Sequence, residues 1–330
     1  MNIISITTNL SRYGGAQKVL MDLHNGLKSD YDCEIVGFQD FGKLHPKYAI
    51  EADEYKKFSI KVLRNKLIIV HARNVIPLIV LLNKVLFLNS KIIYVSHNVY
   101  NTYNLLTFLP EVIVSISKKV TVNLIDYFNV EKKNIHLIYN GIVDHYKSEN
   151  LERIYKEDDT IRILYPARVN SVKRQLRVVE ALKGKLDHNI QIHFAGTGDD
   201  FKDLQELCVN SINFIALGFV EDLEYRIVNY DYIMLFSEQE GLPLSLLEGI
   251  MCKKPIIAND VGGNLEIGIP GYNGIELIEN WDSLAEQLNN LNSIEKNQYD
   301  LMSERSRELF LKKFRMEIMV EQYSQLIQTL

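Results

Sequence analysis

Cysteine is scarce and scattered: Cys33, Cys208 and Cys252 are the only three, an odd number with no metal-ligand spacing. Neither a disulfide framework nor a zinc site is expected, and a reducing cytoplasm suits such a chain best. No Gly-x-Gly-x-x-Gly follows the first apolar run, which disfavours a nicotinamide dehydrogenase. The start, MNIISITTN, lacks the basic residues, apolar run and small-residue cleavage site of a secretion signal, so the protein is expected to stay inside the cell. Long hydrophobic runs are missing too. The longest, residues 75–88, is interrupted by Asn83 and Lys84 and falls short of the roughly 20 residues that cross a bilayer; a buried core helix is expected there. Internal repeats and low-complexity segments are also lacking.

What is present describes a globular α/β protein. The 330 residues are 47% hydrophobic and 24% charged, enough to bury two cores of ordinary size. Charge is unevenly spread: residues 1–150 hold 18 Lys and Arg against 13 Asp and Glu, whereas the remainder is strongly acidic. An anionic partner for the first half is implied, an anionic membrane surface rather than a nucleic acid. Residues 3–8 read as a strand, 10–15 as a glycine-containing loop and 16–27 as a helix, the opening of a doubly wound unit. Short apolar runs at 33–38, 67–71, 91–96, 112–117 and 135–139 continue a mainly parallel sheet. After the charged stretch 144–160, read as a connector, strands at 161–165, 191–195, 213–217, 232–236 and 255–258 alternate with helices at 175–185, 200–210, 222–230 and 243–252. Residues 281–291 and 298–330 look helical.

Most of the chemical information lies between Ser237 and Gly274. Glu240 and Glu248, with seven residues between them, flank a probable helix start at Pro243, which suits a first helical position because it has no amide hydrogen to leave unpaired. Leu244, Ser245 and Leu246 would then offer free amides to a phosphate. On that helix Leu244, Leu247 and Met251 share one face and Leu246 and Ile250 another, so it should be buried, with Glu248 in need of donors such as sugar or ribose hydroxyls. The order Ser-x-x-Glu-Gly-Leu-Pro, Leu-Leu-Glu-Gly, Pro-Ile-Ile-Ala-Asn-Asp-Val-Gly-Gly-Asn-x-Glu-Ile, Gly-x-Asn-Gly resembles the C-terminal signature of the retaining family 4 glycosyltransferases.

Other residues fit the same resemblance. Gly14 and Gly15 precede a helix and permit close approach to an anion; in the family this loop faces the donor diphosphate and acceptor, and Gln17 stands where Glu is usual. Arg168 and Lys173 match the family's Arg-x4-Lys pair and could neutralise a leaving diphosphate without a metal. His97, ending the strand KIIYVSHN, matches the family's strand-His-Asn step and could hydrogen-bond a sugar hydroxyl. His71 and Arg73 stand where relatives often carry a second histidine in place of the arginine. Asn140, Gly141, Gly196 and Gly198 also match family positions. No Asp-x-Asp is placed like the metal site of the other large glycosyltransferase fold; Asp199–Asp200 reads as a helix cap and Asp158–Asp159 as connector charge.

The resemblance implies the GT-B fold: two doubly wound Rossmann-like domains facing each other across a cleft, 1–150 for acceptor and 151–310 for nucleotide sugar, with 311–330 packing back towards the first. It implies a metal-independent transfer of a hexose or N-acetylhexosamine, UDP-linked by default, with no cofactor. The acceptor would be a glycan or polyprenyl-diphosphate-linked glycan in lipopolysaccharide O-antigen or capsule assembly, at the inner face of the cytoplasmic membrane. In these terms Glu248 holds the ribose, Glu240 with the Gly241 and Leu242 amides grips the sugar, and Arg168, Lys173 and the amides of Gly15, Leu244 and Ser245 hold the diphosphate. A non-hydrolysing nucleotide-sugar epimerase of the same fold and a non-catalytic nucleotide-sugar-binding subunit remain open.

Overall fold

The structure, a computed structural model, describes residues 2–102, 107–146 and 153–330. The chain divides into two compact units, residues 1–143 with 314–330, and residues 144–313. The expected boundary at 150/151 lies outside the described residues.

In the first unit the described strands form one parallel sheet of seven. They are β1 (Asn2–Ile6), β2 (Asp32–Gly37), β3 (Tyr55–Lys57), β4 (Leu67–Val70), β5 (Lys91–Ser96), β6 (Val112–Ser115) and β7 (Ile135–Leu137), in the order β3-β2-β1-β4-β5-β6-β7. Strand β4, LIIV, is buried throughout, as a parallel strand covered on both faces must be. Helix α1 (Gly15–Leu27) buries Val19, Leu20, Leu23 and Leu27 at helical spacing. The three-residue edge strand β3 was not expected from its polar sequence.

The expected buried helix at 75–88 is corrected. Helix α2 (Ile76–Val85) buries only Ile76 and Ile79, while Leu78, Leu81 and Val85 are exposed. Apolar content alone does not say which side of a helix meets a core. Helix α3 (Lys118–Asp126) is capped by Ser117, whose hydroxyl accepts from the Val120 amide at 3.2 Å.

In the second unit six strands are parallel: β8 (Ile161–Pro166), β9 (Ile190–Ala195), β10 (Phe214–Gly218), β11 (Tyr232–Leu235), β12 (Ile256–Ala258) and β13 (Gly274–Glu276), ordered β10-β9-β8-β11-β12-β13. Helices α4 (Gln175–Leu182), α5 (Phe201–Cys208), α6 (Leu223–Arg226), α7 (Leu244–Met251), α8 (Asn264–Ile267), α9 (Leu284–Asn289) and α10 (Lys296–Lys313) surround them. Residues 153–160 do not hang as a loose connector. Arg153 pairs with buried Asp231 at 3.3 Å, and the Tyr155 ring stacks on Tyr299 at 4.0 Å. The single helix expected over 298–330 is two, because Arg315 turns to extended backbone and forms a parallel bridge with Ile142. Helix α11 (Met316–Gln328) thereby belongs to the first unit and packs on α1. Asp200 stands at the N-cap position of α5 but makes no side-chain cap bond.

Helix α7 lies close on its sheet because Gly249 has no side chain: a Cβ there would stand 2.7 Å from Ile233 Cγ1. Gly249→Val is expected to cost about 2 kcal/mol through overpacking. Trp281 is the only tryptophan and lies in this unit, so its fluorescence should show a lower urea midpoint with an unchanged slope; an unchanged midpoint would contradict this close packing.

Candidate functional site

Both sheets reverse their winding beside the first strand of the unit, between β1 and β4 and between β8 and β11. In such sheets the two loops leaving the carboxyl ends at the reversal diverge and open a crevice. In the second unit the loop after β8 carries Arg168 and Lys173, and the loop after β11 carries Glu240, Gly241 and Leu242, leading into α7. Lys173 Nζ and Glu240 Oε1 form an ion pair across this gap. Glu240 is only 6% exposed, so the ammonium supplies much of what water would otherwise give the carboxylate.

The second loop is held from several sides. Tyr165, fully buried, donates to the Lys173 carbonyl at 2.6 Å and accepts from the Phe236 amide at 2.9 Å. The Glu238 amide donates to the Val172 carbonyl at 2.8 Å. The Asn259 side chain accepts from the Ser237 amide at 3.1 Å and donates to its carbonyl at 2.7 Å, imitating a sheet partner. Beneath Glu240 lies Gly262 at φ +54°, where a Cβ would sit 2.4 Å from the Glu240 carbonyl oxygen. Only glycine combines that dihedral with that approach. The Gly263 amide then donates to the Gly241 carbonyl at 2.7 Å.

Pro243 is not the first helical residue. It is the N-cap of α7, with extended ψ of 123°, and its carbonyl accepts from Leu246 at 3.2 Å. The amides of Leu244 and Ser245 remain for an outside acceptor, since no side chain caps this end. Nor is the helix buried all round. Leu246, Leu247, Gly249, Ile250 and Met251 are buried, while Leu244, Ser245 and Glu248 form a half-exposed edge. Glu248 is thus half-buried on that edge, one turn beyond Leu244.

Arg168 is exposed. Its backbone is fixed by Gln175, which is fully buried and donates from Nε2 to the Arg168 carbonyl at 3.0 Å. The Gln175 Oε1 has no partner. Gly196 and Gly198 let the next loop close on this one, since a Cβ at either would stand 2.1 Å from the carbonyl of Ala167 or Val169. Tyr165, Gln175, Asn259 and Gly262 are the functional supports that the sequence reading passed over. Asn259 and Gly262 lie inside the run Pro-Ile-Ile-Ala-Asn-Asp-Val-Gly-Gly, whereas Tyr165 and Gln175 carry no signal of their own in the sequence.

In the first unit Gly14 caps α1 with extended backbone, and a Cβ there would meet Gln17 Oε1 at 2.7 Å. Gln17 turns back to the Asn9 carbonyl at 3.1 Å, and the Gly14 amide donates to the Tyr48 hydroxyl at 3.3 Å. His97 and His71, from neighbouring strand ends, meet at 2.9 Å between His97 Nε2 and His71 Nδ1. Burial holds both imidazoles neutral, with His97 lowered to about 4 and His71 well below its ordinary value. His71 Nε2 is buried without a partner. An orphaned acceptor costs less than an orphaned donor, so the proton belongs on His71 Nδ1. His97 then accepts at Nε2 and carries its own proton on Nδ1, a donor for a ligand oxygen. Arg73 lies over the rings of Tyr100 and Phe128 at 4.4 and 5.0 Å. Asn140 is buried beside Gly141, where a Cβ would strike the Arg315 carbonyl at 2.4 Å. The three cysteines are free, and among the described residues no helix is long and apolar enough to cross a membrane.

Residues 147–309 match the family model of the glycosyl transferases group 1. The second unit is thus similar to the glycosyl transferases group 1. The O-antigen biosynthesis glycosyltransferase WbnH of Escherichia coli is 28% identical over 59% of this chain and 58% of its own length. The putative glycosyltransferase EpsD of Bacillus subtilis (strain 168) is 36% identical over 40% of this chain and 35% of its own. The chain thus spans little more than half, or less, of these relatives. Anabaena Alr3699/HepE in complex with UDP is similar over 100% of both chains, with a TM-score of 0.84 at 14% identity. That likeness gives the fold, GT-B.

The histidine pair makes a pH prediction. The unfolded chain takes up protons on both imidazoles as pH falls through 6.5, whereas folded His97 resists until about 4. Its contribution to stability is complete above 6.5 and lost progressively between 6.5 and about 4. Amide protection in β5, corrected for the intrinsic exchange rate, should fall over that window in the wild type and much less in His97→Asn; parallel profiles would contradict a neutral pair.

Proposed function

We propose that this chain is a glycosyltransferase of group 1, retaining and of family 4. It moves a hexose or N-acetylhexosamine from a nucleoside diphosphate sugar, UDP-linked by preference, to a glycan or polyprenyl-diphosphate-linked glycan in cell-surface polysaccharide assembly. The observation that carries this reading is the set formed by Lys173, Glu240, Arg168 and the uncapped start of α7 at the β8/β11 reversal. A cation, a carboxylate and two free amides within one crevice suit a ligand that joins phosphate charge to sugar hydroxyls. The UDP complex of the similar HepE structure favours UDP, and the O-antigen role of the WbnH relative favours polysaccharide assembly.

Glu248 accepts from the ribose hydroxyls, and Glu240 with the Gly241 and Leu242 amides binds the transferred sugar. Lys173, Arg168 and the amides of Leu244 and Ser245 take the diphosphate and stabilise the charge that grows as the glycosidic bond breaks. In the first unit, taken by itself, Gly14 and Gly15 at the start of α1 suit an anionic group, and the His97 Nδ1 proton suits a sugar hydroxyl. No protein nucleophile is assigned. The bond from the anomeric carbon to phosphate breaks, the acceptor oxygen bonds to the same face, and the acceptor proton passes to the leaving phosphate. No metal is required in this scheme, and the acceptor is offered at an anionic membrane.

A transfer screen over UDP- and GDP-sugars with mass spectrometric readout tests the reading; failure of every donor to be transferred or hydrolysed would contradict it. Glu248→Ala should weaken donor binding about tenfold, the loss of hydrogen bonds to a charged group, with unfolding unchanged. Arg168→Ala should lower turnover about 100-fold at little cost in stability, and Lys173→Ala should lower it as much while also lowering stability, because it strands the buried Glu240. Turnover should persist in excess chelator; its abolition would overturn the metal-free scheme.

A further inference from the structure

The loops that leave the carboxyl ends of β1 and β2 are bonded to each other. The His45 amide donates to the Leu10 carbonyl at 2.8 Å. The Tyr48 hydroxyl donates to the Arg12 carbonyl at 2.8 Å and accepts from the Gly14 amide at 3.3 Å, while the Tyr55 hydroxyl donates to the Gln39 carbonyl at 2.6 Å. Beneath these bonds Tyr48 and Tyr55 lie in one buried cluster with Leu10 and Leu20. On this base stand two rings that folding leaves partly in solvent. Tyr13 stacks on Tyr48, centroids 5.5 Å apart and planes at 23°, yet is 42% exposed. Phe41 leans on Tyr55 at 5.9 Å and is 43% exposed. A single exposed ring is ordinary; two rings raised on the tyrosines of one cluster make a platform.

The rim of the platform is polar and positive. His45, whose ring lies 5.7 Å from that of Tyr13, accepts at Nδ1 from the Lys47 amide at 3.3 Å, so its Nε2 is left to donate. Lys47 Nζ stands 5.8 Å from the Tyr13 centroid. Arg12 is exposed and forms no ion pair among the described residues. Asp40, the one carboxylate of residues 38–50, is bound to Lys57 at 2.7 Å. A purely apolar ligand would find no use for this rim, and a bare phosphate none for the rings. A sugar chain that carries negative charge matches both. The C–H face of a hexopyranose lies flat on an aromatic ring, whose π face is electron-rich, its hydroxyls meet the His45 donor, and a carboxylate on the chain meets Arg12.

Position links the platform to the candidate site. All strands of this sheet are parallel, and their carboxyl-end loops follow the order β2, β1, β4, β5, which sets Phe41 and Tyr13 in line with Gly14 and the His71–His97 pair. From β2 to β5 is three strand spacings, roughly 14 Å, more than one hexose ring covers. We propose that Tyr13 and Phe41 form a stacking subsite for an acidic saccharide chain of two or more sugars, so that the acceptor is a glycan already begun and the protein extends it. The assignment of this saccharide as acceptor rests on the transferase reading; its binding does not.

The test is an array of immobilised neutral and acidic saccharides, from monosaccharides to tetrasaccharides, probed with the full chain. The wild type should bind acidic members of two or more sugars and pass over the monosaccharides. Tyr13→Ser and Phe41→Ser should each lower that binding about tenfold, the value of one aromatic side chain returned to water, whereas Tyr13→Phe, which keeps the ring, should retain it. Arg12→Gln should weaken the acidic members alone. Thermal unfolding and UDP-glucose titration should match the wild type in all four variants, because these side chains are exposed and lie outside the donor set. Binding to no saccharide while UDP-glucose still binds would overturn the subsite and leave the transferase reading standing. Saccharide binding that both serine variants retain, or that Tyr13→Phe loses as fully as Tyr13→Ser, would overturn it as well.

Discussion

The ion pair between Lys173 and Glu240 is the constraint on which the candidate site depends. It joins the loops of two neighbouring strands, β8 and β11, where the sheet reverses its winding and leaves them no shared ladder beyond their ends. Taking a carboxylate out of water is costly unless a charge or several donors replace the solvent, and removal of one partner leaves the other stranded. The surrounding bonds from Tyr165, Asn259 and Gly263 make the pair a fixed feature and not a chance meeting of mobile chains. Arg168 and the first turn of α7 then acquire defined positions relative to it.

This arrangement also explains why positive charge collects around a buried carboxylate. Glu240 shares the charge of Lys173 within the chain, so in the proposed reading a diphosphate draws on Arg168 and the α7 amides as well as on the ammonium. A ligand that brings both phosphate and hydroxyls can satisfy each partner separately, phosphate on the ammonium and hydroxyl on the carboxylate. An anion alone would have to compete with Glu240.

The second unit was legible in outline because its chemistry is local in sequence. Glu240, Pro243, Glu248 and the glycines of 262–263 sit within one run, and strand positions follow from buried apolar stretches such as YIML. What failed there was detail: Pro243 is a cap and not a first helical residue, and Glu248 lies on a half-exposed edge, because helix faces cannot be assigned before the sheet beneath them is known. Strands β3 (YKK) and β13 (GIE) carry too few apolar residues to stand out, unlike the equally short β7 and β12. The first unit was harder. Nothing in VHARN says that His71 meets His97, since only adjacency of β4 and β5 brings them together. Helix α2 departs from the buried helix expected there because an apolar run reads the same whichever of its faces meets the core.

The most direct test of the central pair is a double-mutant cycle on UDP-glucose affinity, with Lys173→Met, Glu240→Gln and the double variant titrated under one set of conditions. The account predicts strong coupling, the double variant losing less than the two single losses combined by about 1–3 kcal/mol. Strictly additive losses, or no loss in any variant, would contradict a pair that acts as one unit on the donor.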